Sequence, residues 1–346
     1  MNKSTYISES YFAAANGFCG FRSNFDIVFS PSKLKKLFIL KGGPGTGKST
    51  LMKQIAEHFS NKADITKIFC SSDVKSFDGV LLEKDGVGFG IADGTAPHVI
   101  EPKYPGAVEE IINLGDGFDY AALTKRTDEI KELANRKSSA YKRGYAALRT
   151  AGEVYKYIDL LLLNYGVYNK AEALASKLTE KETGGSDKDV WDAFLISSFS
   201  KDGHVFLPSD DRNKTTVSIY GDGVCEYALM REILTFLKRC GAAQRIYSSP
   251  FAKEIIDALE SEERVYKIVK KADAALDISE IIPHTDEYLK LKQCFEYFLN
   301  EAAIAFSHAS EYHFGLEDIY SKNISFEKNI EKKNAIIKSI EDVFNK

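Results

Sequence analysis

The sequence lacks any long apolar run. Its longest block of leucines, residues 160–163, falls far short of the ~20 residues that a membrane-spanning helix needs. Residues 1–18 contain no continuous apolar core of the kind that marks a secretory signal. The five cysteines, Cys19, Cys70, Cys225, Cys240 and Cys294, form no CxxC pair and no zinc-like spacing, so neither a zinc module nor a disulfide framework is written into them. An excess of one charge is missing too. Lys and Arg total 46 against 50 Asp and Glu, a net charge of −4, so no global positive field draws the chain to nucleic acid or anionic lipid. Together these absences predict a cytoplasmic protein that uses no membrane and has little affinity for nucleic acid.

What is present is organised around one glycine-rich segment. Residues 37–40, Leu-Phe-Ile-Leu, form a short apolar run suited to a buried parallel strand. It leads into Gly42-Gly43-Pro44-Gly45-Thr46-Gly47-Lys48-Ser49-Thr50, after which Leu51, Ile55 and Phe59 recur at helical spacing. Strand, glycine loop and helix in that order are the context required of the phosphate-loop pattern G-x-x-x-x-G-K-S/T. Glycines let successive backbone N–H groups turn toward phosphate oxygens, and the helix adds the positive end of its dipole. Lys48 then faces the β- and γ-phosphates, and the Ser49 hydroxyl joins the shell of a Mg²⁺ ion. The expected ligand is a magnesium-bound nucleoside triphosphate, most simply ATP.

A strand predicted over residues 87–92 ends at Asp93, where a carboxylate holds Mg²⁺ directly or through water. Gly94 follows it, so the glutamate that often polarises the attacking water is missing at that place. Asp73, closing a strand predicted over 65–70, and His98, five residues beyond Asp93, are the candidates for positioning water or an acceptor hydroxyl. Asp78 is read as a turn residue before Gly79. Basic and aromatic residues interleave over 141–168, a mixture that suits a packed helical hairpin with a solvated face, and Arg143 there is a candidate arginine finger. His308 and His313 are five apart and miss the i, i+4 spacing of a helical metal pair.

The chain is long enough for two domains. Residues 121–181 contain no proline and predict two or three long helices, 184–187 a linker, 191–207 the start of a new unit, and 286–346 further helices with Gly315 as a break. At a constant offset of 178, ten residues between Gly43 and Asp93 have identical partners in the second half, among them Gly43 with Gly221, Leu51 with Leu229 and Ile68 with Ile246. Chance alone gives about three. The same offset sets Glu226 against Lys48, Tyr227 against Ser49 and Lys271 against Asp93. The expectation is an α/β chain of tandem phosphate-loop-like parallel sheets flanked by helices. Residues 1–185 form the nucleotide-binding domain with its helical hairpin, and 186–346 a degenerate copy ending in helices.

The segments Tyr11-Phe12-Ala13, FILKGGPGTGKSTLMKQI, Cys70 to Asp73, and DGTAPHVIEPKYPGAVEEIINLG from Asp93 onward resemble an uncharacterised family of bacterial, mainly firmicute, tandem P-loop ATPases. The resemblance implies the fold and ATP binding and names no substrate. In that family the second half often keeps a recognisable loop, and Glu226 departs from this. Three functions follow as expectations: an ATPase whose turnover moves its helical segments, a small-molecule kinase with the DGTAPH segment lining the acceptor pocket, or a nucleotide-sensing module that engages a protein partner and scarcely turns over.

Overall fold

The computed structural model describes residues 6–184, 191–208, 214–271 and 275–346. The first half runs β1 (Ser8–Phe12), β2 (Ala14–Gly17), β3 (Gly20–Ser23), the one-turn helix α1 (Phe25–Val28), β4 (Lys36–Lys41), α2 (Lys48–His58), β5 (Asp64–Phe69), β6 (Phe77–Lys84), β7 (Val87–Asp93), β8 (Glu109–Asn113), α3 (Tyr120–Lys125), α4 (Thr127–Asn164) and α5 (Val167–Leu178). The second runs β9 (Ser197–Ser200), β10 (Gly203–Phe206), β11 (Thr215–Tyr220), α6 (Cys225–Arg239), β12 (Arg245–Ser248), β13 (Ile256–Glu260), β14 (Arg264–Ile268), β15 (Leu276–Asp277), a 3₁₀ turn, α7 (Asp286–Ser321) and α8 (Glu327–Phe344). The architecture is mixed α/β, with helices flanking sheets that contain parallel strands, and no described helix is long and apolar enough to cross a membrane.

The chain divides into two compact units that are not consecutive halves. One comprises residues 1–14, 23–143 and 305–346; the other comprises 15–22 and 144–304. This differs from the boundary expected near residue 185. Most of the linker expected at 184–187 lies outside the described residues. Of the four crossings between units, two fall within β2 and β3 and two inside the continuous helices α4 and α7, where no composition break marks them. Nor does Gly315 break α7, which runs unbroken through it. A Cβ there would come within 3.3 Å of the Leu133 side chain, so this glycine permits close helix approach.

The first unit holds a six-stranded sheet of order β1-β5-β6-β7-β4-β8. β4 is parallel to both neighbours, β7 and β8, which explains why residues 37–40 are apolar without alternation: both faces are covered. Leu37, Ile39 and Leu40 are fully buried. On one face α2 packs Leu51, Met52, Ile55 and Ala56, and the C-terminal α8 adds Ile336 and Ile340 to the same core. Phe344 meets Phe59 and Phe89 edge-on at 5.9 and 5.3 Å. The last helix of the chain thus completes the core of the first unit.

The second unit's five-stranded sheet, β12-β13-β14-β11-β15, repeats the order β5-β6-β7-β4-β8 strand for strand, with the same parallel and antiparallel pairings. Even the irregularity recurs, between Ile68 and Phe69 in one hairpin and Tyr247 and Ser248 in the other. That match sets the hairpin offset at 179 (247 − 68), not 178. The offset also drifts. Leu40 pairs with Asp93 and Ile219 pairs with Ile268, so Ile268, not Lys271, stands where Asp93 stands. Sheet register is fixed by hydrogen bonding and side-chain facing, whereas length changes collect in the turns.

Candidate functional site

The site of the first unit lies at the carboxyl ends of β4 and β7. Six residues, 42–47, join β4 to α2, and two of them, Gly45 and Gly47, hold φ of +70° and +83°, the left-handed region that glycine reaches without strain. A Cβ on Gly45 would also come within 2.5 Å of the Glu317 carbonyl oxygen, so the glycine answers both to its backbone and to α7. Asn329 of α8 is buried and its Nδ2 donates to the carbonyl oxygens of Thr46 (3.1 Å) and Leu114 (3.3 Å). Phe118 and Tyr320 flank Gly43, and Phe326 flanks Gly47. Elements over 270 residues downstream therefore brace the loop, a relationship with no local signature in the sequence.

Inside the loop, Lys48 Nζ donates to the carbonyls of Gly42 and Gly43 at 2.8 and 2.9 Å and lies 3.7 Å from Asp93 Oδ2. Thr46 Oγ1 donates to Gly43 O. The Ser49 hydroxyl accepts from Phe77 N at 2.9 Å, which orients it at the head of α2. Asp93 Oδ1 accepts from Thr95 N and Oγ1, leaving Oδ2 toward the lysine. Among the described residues, the backbone N–H groups of Gly43, Gly45, Gly47 and Lys48 donate to no protein acceptor, while Thr46 N closes the turn onto Gly43. Backbone donors left unmet in a half-buried loop are costly unless something negative is drawn to them. Pro44 and Thr50 complete the segment, the proline contributing no donor.

The other two candidates have their closest polar partners outside the loop, although the Asp73 turn leads directly into Phe77, whose N–H donates to Ser49. Asp73 folds onto its own turn, Oδ1 accepting from Lys75 N (3.1 Å) and Oδ2 from Ser76 Oγ (2.9 Å). His98 is buried, stacked on Phe25 at 4.3 Å between ring centres, with Nε2 3.1 Å from Asp78 Oδ2. Asp78, read as a turn residue, is the second residue of β6 and is buried. Among the described residues no three His, Cys, Asp or Glu side chains gather as an all-protein metal site.

The corresponding loop of the second unit is built differently. Only four residues, 221–224, separate β11 from α6, two fewer than in the first unit. Its backbone donors are met from within. Gly223 N donates to both carboxylate oxygens of Glu226 at 3.0 Å, and Val224 N and Cys225 N donate to Asp222 Oδ1. Burial raises the Glu226 carboxyl to about 7, against the bonds from its own and neighbouring backbone N–H groups, which lower it. The carboxylate expected to repel phosphate does more than that, because it occupies the donors a phosphate would use.

A second polar cluster in this unit had no signal in the sequence. Ser197, fully buried, donates from Oγ to Asp257 and lies 2.8 Å from His204 Nε2. Desolvation lifts Asp257 to about 7 and lowers His204 to about 3. The aspartate faces the serine rather than the far nitrogen of the imidazole, so the order of a hydrolytic triad is not met. At the hairpin offset of 179, Asp257 is the counterpart of Asp78, and each is a buried carboxylate at the second position of its strand.

No protein-family model matches this chain, and no curated protein or solved structure is significantly similar to it.

Proposed function

We propose that the first unit binds one magnesium–ATP at the loop Gly42–Ser49 and hydrolyses it slowly. The observation that carries the reading is the set of unmet N–H donors on Gly43, Gly45, Gly47 and Lys48 at the head of a helix, with a lysine and a strand-end carboxylate beside them. Such a constellation favours a polyanion. In this reading Lys48 exchanges the Gly42 and Gly43 carbonyls for β- and γ-phosphate oxygens. Ser49 and Asp93 would hold the magnesium, whose remaining oxygens come from phosphate and water, as suits an ion that keeps much of its hydration. The metal supplies neutralisation of phosphate charge.

Hydrolysis breaks the bond from the γ-phosphorus to the bridging oxygen as water adds, giving ADP and inorganic phosphate. Gly94 follows Asp93, and Asp73 and His98 engage Lys75, Ser76 and Asp78 rather than loop residues, so among the described residues these contacts aim neither at the position of an attacking water. That observation favours, as a second reading, a nucleotide-sensing module with little turnover. The matching strand orders and shared bulge support an ancient duplication, the second loop having lost two residues and acquired its own carboxylates. Calorimetric titration with magnesium and a non-hydrolysable ATP analogue, paired with phosphate release, tests the proposal: binding with slow release is expected, and absence of binding overturns it.

A further inference from the structure

Lys137 lies on α4 midway between Leu133 and Tyr141, and the i, i+4, i+8 spacing sets all three on one helix face. The direction of that face is fixed at both ends. Leu133 is the side chain that a Cβ on Gly315 of α7 would meet. Tyr141 Oη donates to Ser72 Oγ at 3.2 Å, in the turn after β5, and its ring lies 5.6 Å from that of Phe306. Lys137 is half-buried between these contacts. Among the described residues it makes no hydrogen bond and no ion pair.

The two charges that act on it are Lys48 in the loop and Glu317 in α7. Glu317 is the residue whose backbone abuts Gly45, and its carboxylate lies 3.5 Å from His313 Nε2. Lys137 is therefore bracketed by the loop lysine and by the helix turn that touches the loop. Desolvation, followed by repulsion from Lys48, lowers its pKa, with Glu317 opposing in part. Holding a desolvated ammonium near a second ammonium is unfavourable in isolation. A polyanion between them attracts both ammonium groups and so opposes the two penalties.

We propose that Lys137 is a second phosphate ligand, reaching the terminal phosphate from α4 and making the site prefer triphosphate to diphosphate. The inference rests on the nucleotide reading of the loop. It adds that the γ-phosphate is sensed by α4, a helix that continues past residue 143 into the second unit.

The test uses the full chain with Lys137→Met, which keeps an apolar stem of similar length, and Lys137→Arg, which keeps the charge. Each is titrated with magnesium–ATP analogue and with magnesium–ADP. Lys137→Met should weaken the triphosphate about 10- to 100-fold and leave the diphosphate within about twofold, while Lys137→Arg retains most of the preference. Without nucleotide, Lys137→Met should melt at or above the wild-type temperature, because it removes a desolvated charge. Equal weakening of both nucleotides, no weakening of either, or a lowered melting temperature overturns the inference. A wild-type chain that binds neither nucleotide overturns the loop reading itself, so the two failures are distinct.

Discussion

Asp93 Oδ2 lies 3.7 Å from Lys48 Nζ, and the register that pairs Leu40 with Asp93 across β4 and β7 is what delivers the carboxylate to the mouth of the loop. Because Asp93 Oδ1 is already engaged by Thr95, its substitution can be made nearly isosteric.

Asp93→Asn keeps an oxygen for Thr95 N and removes the charge beside Lys48. Magnesium-dependent phosphate release should fall at least about tenfold, since a charge-assisted contact worth ~1.5–3 kcal/mol is lost, while affinity for the nucleotide changes less. Measuring release and binding on the same preparation separates the two effects. A wild-type rate would make Asp93 a structural residue.

His98 answers a different question. His98→Phe preserves an aromatic ring against Phe25 but removes the nitrogen that lies 3.1 Å from the buried Asp78, at a cost of about 1–3 kcal/mol in folding stability. Turnover per folded molecule should not change. Urea denaturation reads the first effect and phosphate release the second, and a variant that keeps its stability but loses turnover would return His98 to the chemistry.

The glycine loop, the strands on either side of it and Asp93 were legible because each carries a local signal: an apolar run, a turn composition, a strand-end acid. The strand predicted over 65–70 is β5 and that over 87–92 is β7, ending at Asp93 as expected. Asn329, Tyr320, Glu317 and Lys137 were not legible, because they meet the loop only through tertiary folding and sit in helices whose sequence marks no function. The single offset of 178 failed for a related reason. Identity counts reward a constant spacing, whereas the sheets hold register within hairpins and change length between them, so the aspartate was matched to Lys271 when the strand places Ile268 there.

Glu226 gives a prediction with a defined pH window. Its carboxyl is raised from 4.5 to about 7 by burial, so between those values the native state keeps a proton that the unfolded chain releases. Stability from this group is complete below pH 4.5 and is lost as pH rises toward and through 7. Glu226→Gln, which does not titrate, should gain on the wild type across that window by about 3 kcal/mol by pH 8, with little change at higher pH. Asp257, raised to about 7 likewise, is common to both proteins and cancels in the difference. Paired denaturant curves from pH 4 to 8 make the measurement, and a difference independent of pH would contradict the buried position of this carboxylate.

The central claim is that one triphosphate binds per chain, at the loop with unmet backbone donors and not at the loop filled by Glu226. Calorimetric titration of the full chain and of Lys48→Ala with magnesium and a non-hydrolysable ATP analogue tests it most directly. The wild type should bind with a stoichiometry near one, and Lys48→Ala should bind at least about tenfold more weakly with the fold intact. A stoichiometry of two, or unchanged affinity in a folded Lys48→Ala chain, would contradict it.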